Sequence, residues 1–133
     1  MHTKQFGNIG EAAVSKKLME LGYAVFTELG DLSKVDLVAL KDNDLIKIQV
    51  KYITLKEGKV ELPVRKCGPN YIKRYTTAEI DLFAIYVPDN NQVLFVSSNI
   101  LESTRSSYTI RFIKPKTGSQ HKSHWWEDYI ALP

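Results

Sequence analysis

Apolar and polar positions change period several times along the chain, and each change marks an element. Residues 6–21 carry apolar side chains at Ile9, Ala13, Val14, Leu18 and Leu21, close to a period of 3.6, which predicts a helix. Gly22 is placed to end it as a C-cap. Residues 23–27 then predict a short strand, and residues 29–33 a turn. Residues 35–40 and 45–53 predict two strands, and the intervening Asp42-Asn43-Asp44 has the chemistry of a hairpin turn. Residues 59–64 alternate polar and apolar; they predict an edge strand, because Pro63 has no N–H to give to a ladder. Residues 71–79 fit either a helix or an ordered loop. Residues 81–87 predict a buried strand, residues 88–91 a turn and residues 92–97 its antiparallel partner. Ser98 or Asn99 can cap a one-turn helix, residues 110–113 predict a last strand, and residues 125–130 a last short helix. This order describes a mixed α/β fold, one sheet covered by helices.

At 133 residues the chain is long enough for one domain with one core and too short for two, so residues 1–133 are expected to form a single domain. The longest wholly apolar run, residues 82–87, is far short of a membrane span. The first five residues lead straight into the helical pattern without an apolar signal core, which makes a cytoplasmic location the default expectation. Cys67 is alone and reads as a small apolar filler; no disulfide framework or zinc-finger spacing exists. His121 and His124 are three apart but have no further ligands nearby in sequence, which argues against zinc. Trp125 and Trp126 read as packing residues, against the chain's own core or a second subunit.

The net charge of +3 is small but uneven. Between positions 47 and 74 there are eight basic residues against two acidic ones, and between 105 and 122 five basic and none acidic. Such asymmetry favours a polyanionic partner, while charge alone leaves two solvated faces as an equal reading.

The stretch that carries chemistry is Gln49-Val50-Lys51. With a period of two, Ile46, Ile48, Val50 and Tyr52 share one strand face, and Lys47, Gln49 and Lys51 the other. Asp is depleted in strands, yet Asp36 stands at the opening of the preceding one, where an antiparallel hairpin can bring it beside Gln49 and Lys51. Glu11 lies three residues before Val14 and seven before Leu18, on the sheet-facing side of the helix, where a carboxylate needs a partner or a metal. Gly7 and Gly10 flank it, each costing about 1 kcal/mol in a helix relative to Ala, which suggests a close approach to the backbone. Taken singly, Lys51 reads as a solvated strand lysine, Glu11 as a helix-surface acid and Asp36 as a turn residue.

Taken together, Gly7-x-x-Gly10-Glu11, Val35-Asp36 and Gln49-Val50-Lys51 resemble the PD-(D/E)XK nuclease superfamily, and more narrowly the homing endonucleases of that type encoded in bacterial group I introns. The later segments at 81–86, 93–96 and 111–116 resemble that group as well. Two positions depart from the motif: Val35 stands where proline is usual, and Gln49 where the second acid is usual. The resemblance implies a restriction-endonuclease-like core, a central mixed β-sheet flanked by helices, with a β-hairpin insertion. It implies hydrolysis of double-stranded DNA with Mg²⁺, for which Mn²⁺ substitutes. The implied catalytic set is Glu11, Asp36, Gln49 and Lys51, with Asp36, Gln49, the carbonyl of Val50 and Glu11 as metal ligands. Hard oxygen donors of this kind suit Mg²⁺ and Mn²⁺.

Contacts to DNA are expected from Lys59, Arg65 and Lys66 on a two-stranded ribbon that fits the major groove. Lys73 and Arg74, between Tyr71 and Tyr75, are expected at phosphates, and Lys114, Lys116, Gln120 and Lys122 come from a basic, polar loop. Cutting both strands calls for a homo-oligomer, a dimer at least, and the resemblance raises a tetramer. Two further readings stay open: a Holliday-junction resolvase built on the same core, and a non-catalytic DNA-binding module whose metal site decayed at Gln49.

Overall fold

The computed structural model describes residues 2–114 and 124–133. It opens with helix α1 (Thr3–Glu20), three residues earlier than the apolar period suggested. The extension comes from a polar cap: His2 Nδ1 accepts from the Lys4 N–H at 3.2 Å, and Gln5 Oε1 accepts from the His2 N–H at 3.0 Å. Such reciprocal capping satisfies helix-end donors that hydrophobic periodicity does not report. Gly22, at φ 91°, turns the chain out of the helix.

The strands are β1 (Ala24–Thr27), β2 (Leu37–Lys41), β3 (Asp44–Tyr52), β4 (Lys59–Pro63), β5 (Arg65–Gly68), β6 (Tyr71–Arg74), β7 (Leu82–Val87), β8 (Gln92–Ser97), β9 (Ser107–Arg111) and β10 (His124–Trp125). The main sheet has the order β1-β2-β3-β7-β8 and is mixed, because β3 and β7 run parallel while the other pairs are antiparallel. Asp42 and Asn43 both take positive φ, 50° and 72°, in the two-residue turn between β2 and β3. That turn sets the register Leu37↔Ile48, with Asp36 one residue before the first pair of the ladder.

Parallel neighbours need a crossover, and between β3 and β7 it is built of strands rather than a helix. In it β4 joins β9 and β10 in a second sheet, and β5 pairs with β6 as a separate ribbon. One face of the main sheet is therefore covered by α1, whose Val14 and Leu18 pack with Leu37, Ala39, Ile48, Val50, Ala84 and Phe95. On the other face Phe83, Ile85, Leu94 and Val96 pack with Val60, Leu62 and Ile110 of the second sheet. The expected helical cover is thus present on one face only among the described residues.

Several boundaries differ from the sequence reading. The ambiguous segment 71–79 is β6 followed by a turn. The strand expected at 110–113 is Ser107–Arg111, because its partner β4 is 44 to 52 positions away (Lys59↔Arg111 to Pro63↔Ser107) and local pattern does not carry that register. In place of a helix at 125–130 the chain forms β10 and a 3₁₀ turn, Trp126–Tyr129, with the Trp126 ring stacked on Phe112 at 5.1 Å. Trp126 therefore packs against its own core. His124 is stacked on Tyr108, and His121 lies outside the described residues. No helix among the described residues is long and apolar enough to cross a membrane.

Candidate active site

Asp36 sits one residue before β2, and its backbone prolongs the ladder: its N–H donates to the Ile48 carbonyl at 2.9 Å. Its side chain then substitutes for the next backbone acceptor, with Oδ2 taking the Val50 N–H at 2.8 Å. Ile48 turns its carbonyl to the β2 side, so by the two-residue repeat the N–H and carbonyl of Val50 face the same edge. The carboxylate of Asp36 and the carbonyl of Val50 thus meet where residues 28–35 peel away from the sheet.

Gln49 and Lys51 lie in register with Phe83 and Ile85, which places them on the face away from α1. Gln49 Oε1 is buried and has no hydrogen-bond partner among the described residues. Lys51 Nζ donates to the Tyr75 hydroxyl at 2.7 Å and lies 4.8 Å from the centre of that ring. A cleft of about 380 Å³ is lined here by Asp31, Lys34, Asp36, Gln49, Lys73 and Tyr75, among others. Glu11 lies on the helix side, in an adjoining cleft that Asp31 and Asp36 also line. Asp31 and Asp36 are common to the two clefts.

The electrostatics are those of crowded carboxylates. Burial raises the Asp36 carboxyl above its ordinary range; the Val50 N–H and Lys51 pull it down, and Asp31 and Glu28 push it up again, with the net upward. Glu11 is raised too, by burial first and then by Asp36 and Asp31. The loop that brings Asp31 here is organised by Glu28, whose carboxylate accepts from the N–H groups of Leu32 and Ser33 and from Ser33 Oγ.

A family model described as PD-(D/E)XK endonuclease matches residues 1–132. The chain belongs to the PD-(D/E)XK endonuclease family. Among solved structures it is similar to the bacterial homing endonuclease I-Ssp6803I, at 23% identity and a TM-score of 0.77, over 97% of this chain and 88% of that one. It is also similar in fold to Hjc, a Holliday junction resolvase of Archaeoglobus fulgidus, at 19% identity and a TM-score of 0.50, over 79% of this chain and 83% of that one. No curated protein sequence matches it.

A PD-(D/E)XK centre normally holds a divalent cation, and the donors here fit one. Gln49 Oε1 is the telling atom: a buried acceptor without a partner costs free energy, and it stands beside Asp36, where a hard cation would use it. Among the described residues no three His, Cys, Asp or Glu side chains are grouped to hold a metal. A cation held here would therefore lean on a neutral amide and a backbone carbonyl. At Gly10 helix α1 runs beside β3, where a Cβ would meet Val50 Cγ1 at 3.4 Å and Tyr52 Cβ at 3.6 Å, ordinary van der Waals contact that a small side chain could make. Gly7 has open space around it, so the close backbone approach expected from the two glycines demands neither of them.

The residues expected at DNA are distributed unevenly around this PD-(D/E)XK centre. Lys73 is exposed, lines the cleft and lies 5.6 Å from the Tyr71 ring. Arg74 is used differently from a phosphate contact. Its guanidinium donates to the carbonyls of Leu101, Thr104 and Arg105, clamping β6 to the segment that follows β8. Lys59 is half-buried, at 3.6 Å from Glu61. It belongs to the second sheet, so the ribbon is Arg65–Gly68 with Tyr71–Arg74, carrying Arg65 and the backbone of Lys66. Lys114 is exposed and lies 5.4 Å from the Trp125 ring; Lys116, Gln120 and Lys122 lie outside the described residues. Sequence reasoning missed Asp31, Lys34 and Tyr75. An aspartate after Gly30 in a turn and a tyrosine among basic residues are too common to single out.

Proposed function

We propose that this chain is a sequence-specific endonuclease of the homing type that cuts double-stranded DNA with Mg²⁺, Mn²⁺ substituting. The observation that carries the reading is the partnerless Gln49 Oε1 beside a backbone-anchored Asp36, with Lys51 two residues further along the same face. Asp36, Gln49 and the Val50 carbonyl would hold the cation, with Glu11 at its far side. When bound, it supplies charge to stabilise the scissile phosphate and the leaving oxygen. The protein's share is positioning and electrostatics. Asp36 is held by the Val50 N–H, so its free oxygen is aimed before substrate arrives. The Lys51 amine orients the attacking water and offsets negative charge on the phosphoryl oxygens. Gln49 contributes a donor without charge, which keeps repulsion of the incoming phosphate low.

The homing assignment is supported by the likeness to I-Ssp6803I over almost the whole chain, and by the β5–β6 ribbon, a shape that enters a major groove. One site cuts one strand, so the active species is a homo-oligomer, a dimer at least, with a tetramer formed as two dimers the larger form. Such an enzyme works where its DNA is, which places it in the cytoplasm. The test is selection of cleaved sites from a randomised duplex pool with Mg²⁺, beside a four-way junction and a light-scattering mass. Recovery of one recurring duplex site, cut by an oligomer, is expected. Preferential cutting of the junction would instead make it a resolvase like Hjc, and no Mg²⁺-dependent cutting of either would leave a DNA-binding module.

A further inference from the structure

Tyr75 is placed more deliberately than core packing requires. Its ring is buried, 8% exposed, and meets Phe83 edge-on at 5.5 Å. Yet its hydroxyl is spent on Lys51 Nζ at 2.7 Å, and two cations lie against its ring, Lys51 at 4.8 Å and Lys34 at 5.4 Å. The backbone on both sides is braced. Lys34 Nζ donates to the Arg74 carbonyl and pairs with Glu79, while Glu79 Oε1 accepts from the N–H and Oγ1 of Thr76. Arg74 itself is anchored through three carbonyls. Lysine has a long, flexible stem that would otherwise sample many rotamers, and misplacing a reacting group by an ångström can cost about a hundredfold in rate.

We propose that Tyr75 is a positioning residue for Lys51: its hydroxyl and ring hold the lysine amine at the cleft before substrate binds. This rests on the reading of Lys51 as a group that acts at the scissile phosphate. Tyr75→Phe keeps the ring, its contact with Phe83 and the cation–ring attraction, and removes only the hydroxyl. A hydrogen bond to a charged group is strong enough that its loss is expected to slow single-turnover cleavage about tenfold, with Kd for the same duplex within about twofold of wild type. The duplex is one recovered from the randomised pool, and Mg²⁺ is the metal used. The second readout needs no DNA. In protein labelled with ¹⁵N-lysine, the Lys51 ammonium signal, assigned by its loss in Lys51→Met, is expected to be protected from water exchange in wild type and unprotected in Tyr75→Phe.

Wild-type cleavage rates in Tyr75→Phe, or equal protection of the Lys51 ammonium in both proteins, would overturn the proposal. So would a slow variant whose Tm and DNA affinity fall in step with its rate, since Tyr75 would then be a structural residue. If the pool yields no cleaved duplex, the nuclease reading fails by itself, and the ammonium signal of the free protein still decides whether Tyr75 holds Lys51.

Discussion

Gln49→Leu separates what the site costs the fold from what it gives to function. In wild type, Oε1 is buried without a partner among the described residues. An unsatisfied buried polar group costs about 1–3 kcal/mol. Leucine is close in size, suits a strand and has no polar atom, so the variant recovers that cost. Unfolding entropy near 60 °C is about 2.1 cal/mol/K per residue, or roughly 0.28 kcal/mol/K for a chain of this length, so the gain is about 4–11 °C in Tm without metal. Mg²⁺ then works in the opposite direction. At about a hundredfold over Kd, linkage stabilises wild type by about 2.7 kcal/mol; a variant binding tenfold more weakly gains only about 1.4 kcal/mol. Thermal unfolding followed by circular dichroism, in EDTA and then in Mg²⁺, reads both effects, and single-turnover cleavage of a selected duplex reads the third. The expected variant melts higher in EDTA, shifts less with Mg²⁺ and loses most cleavage. A variant that melts lower than wild type in EDTA, and shifts equally with Mg²⁺, would refute the reasoning, because Gln49 would then be an ordinary packed residue.

Two more outcomes follow from the same geometry. Asp36→Asn should abolish cleavage while leaving DNA binding, and it should also stabilise the protein at neutral pH. The folded carboxyl is raised by burial and neighbouring acids, so its contribution is full at acid pH and lost as pH rises through its folded value. The Tm advantage of the Asn variant over wild type, measured in EDTA, should therefore shrink as pH falls through the carboxylate range; a pH-independent difference would count against it. Arg74→Ala removes the donor from three carbonyls and should cost about 2–3 kcal/mol, lowering Tm by roughly 7–11 °C. Lys73→Ala should leave Tm alone and reduce the slope of log affinity against log salt by about one; equal Tm losses for the pair would contradict the division of roles.

What the sequence made legible is what local periodicity controls. The two-residue turn at Asp42-Asn43 sets the β2–β3 register, and that register brings Asp36 to the Ile48–Val50 edge of β3, with Gln49 between those two residues and Lys51 the next one on. Helical spacing placed Glu11 on the side of α1 that shares a cleft with Asp36. What stayed hidden depends on contacts between distant segments. Strand β9 is defined by its pairing with β4, and the role of Arg74 by carbonyls 27 to 31 positions later. Lysine and arginine illustrate the point, since a basic residue beside a tyrosine has the same local pattern whether it faces a phosphate or a carbonyl.

The crossover explains why the hidden residues cluster. A helical crossover between β3 and β7 would have put a polar outer face to solvent and an apolar stripe on the sheet, a pattern that single-sequence periodicity detects. Here the same connection is made of strands, and it does three things within about 30 residues: β4 covers the core, β5 and β6 form the ribbon, and the residue directly after β6 reaches back to Lys51. Each strand borrows its partner from elsewhere in the chain or from its own neighbour, so alternation in residues 59–64 was visible while the sheet it joins was not. The consequence is mechanical. Tyr75 is covalently next to Arg74, the last residue of the ribbon, and both are tied into rigid structure, one through its guanidinium and the other through Lys51 and Phe83. The surface that would read DNA and the side chain that steadies the lysine are therefore consecutive parts of one braced segment, rather than independent loops carried by a common core.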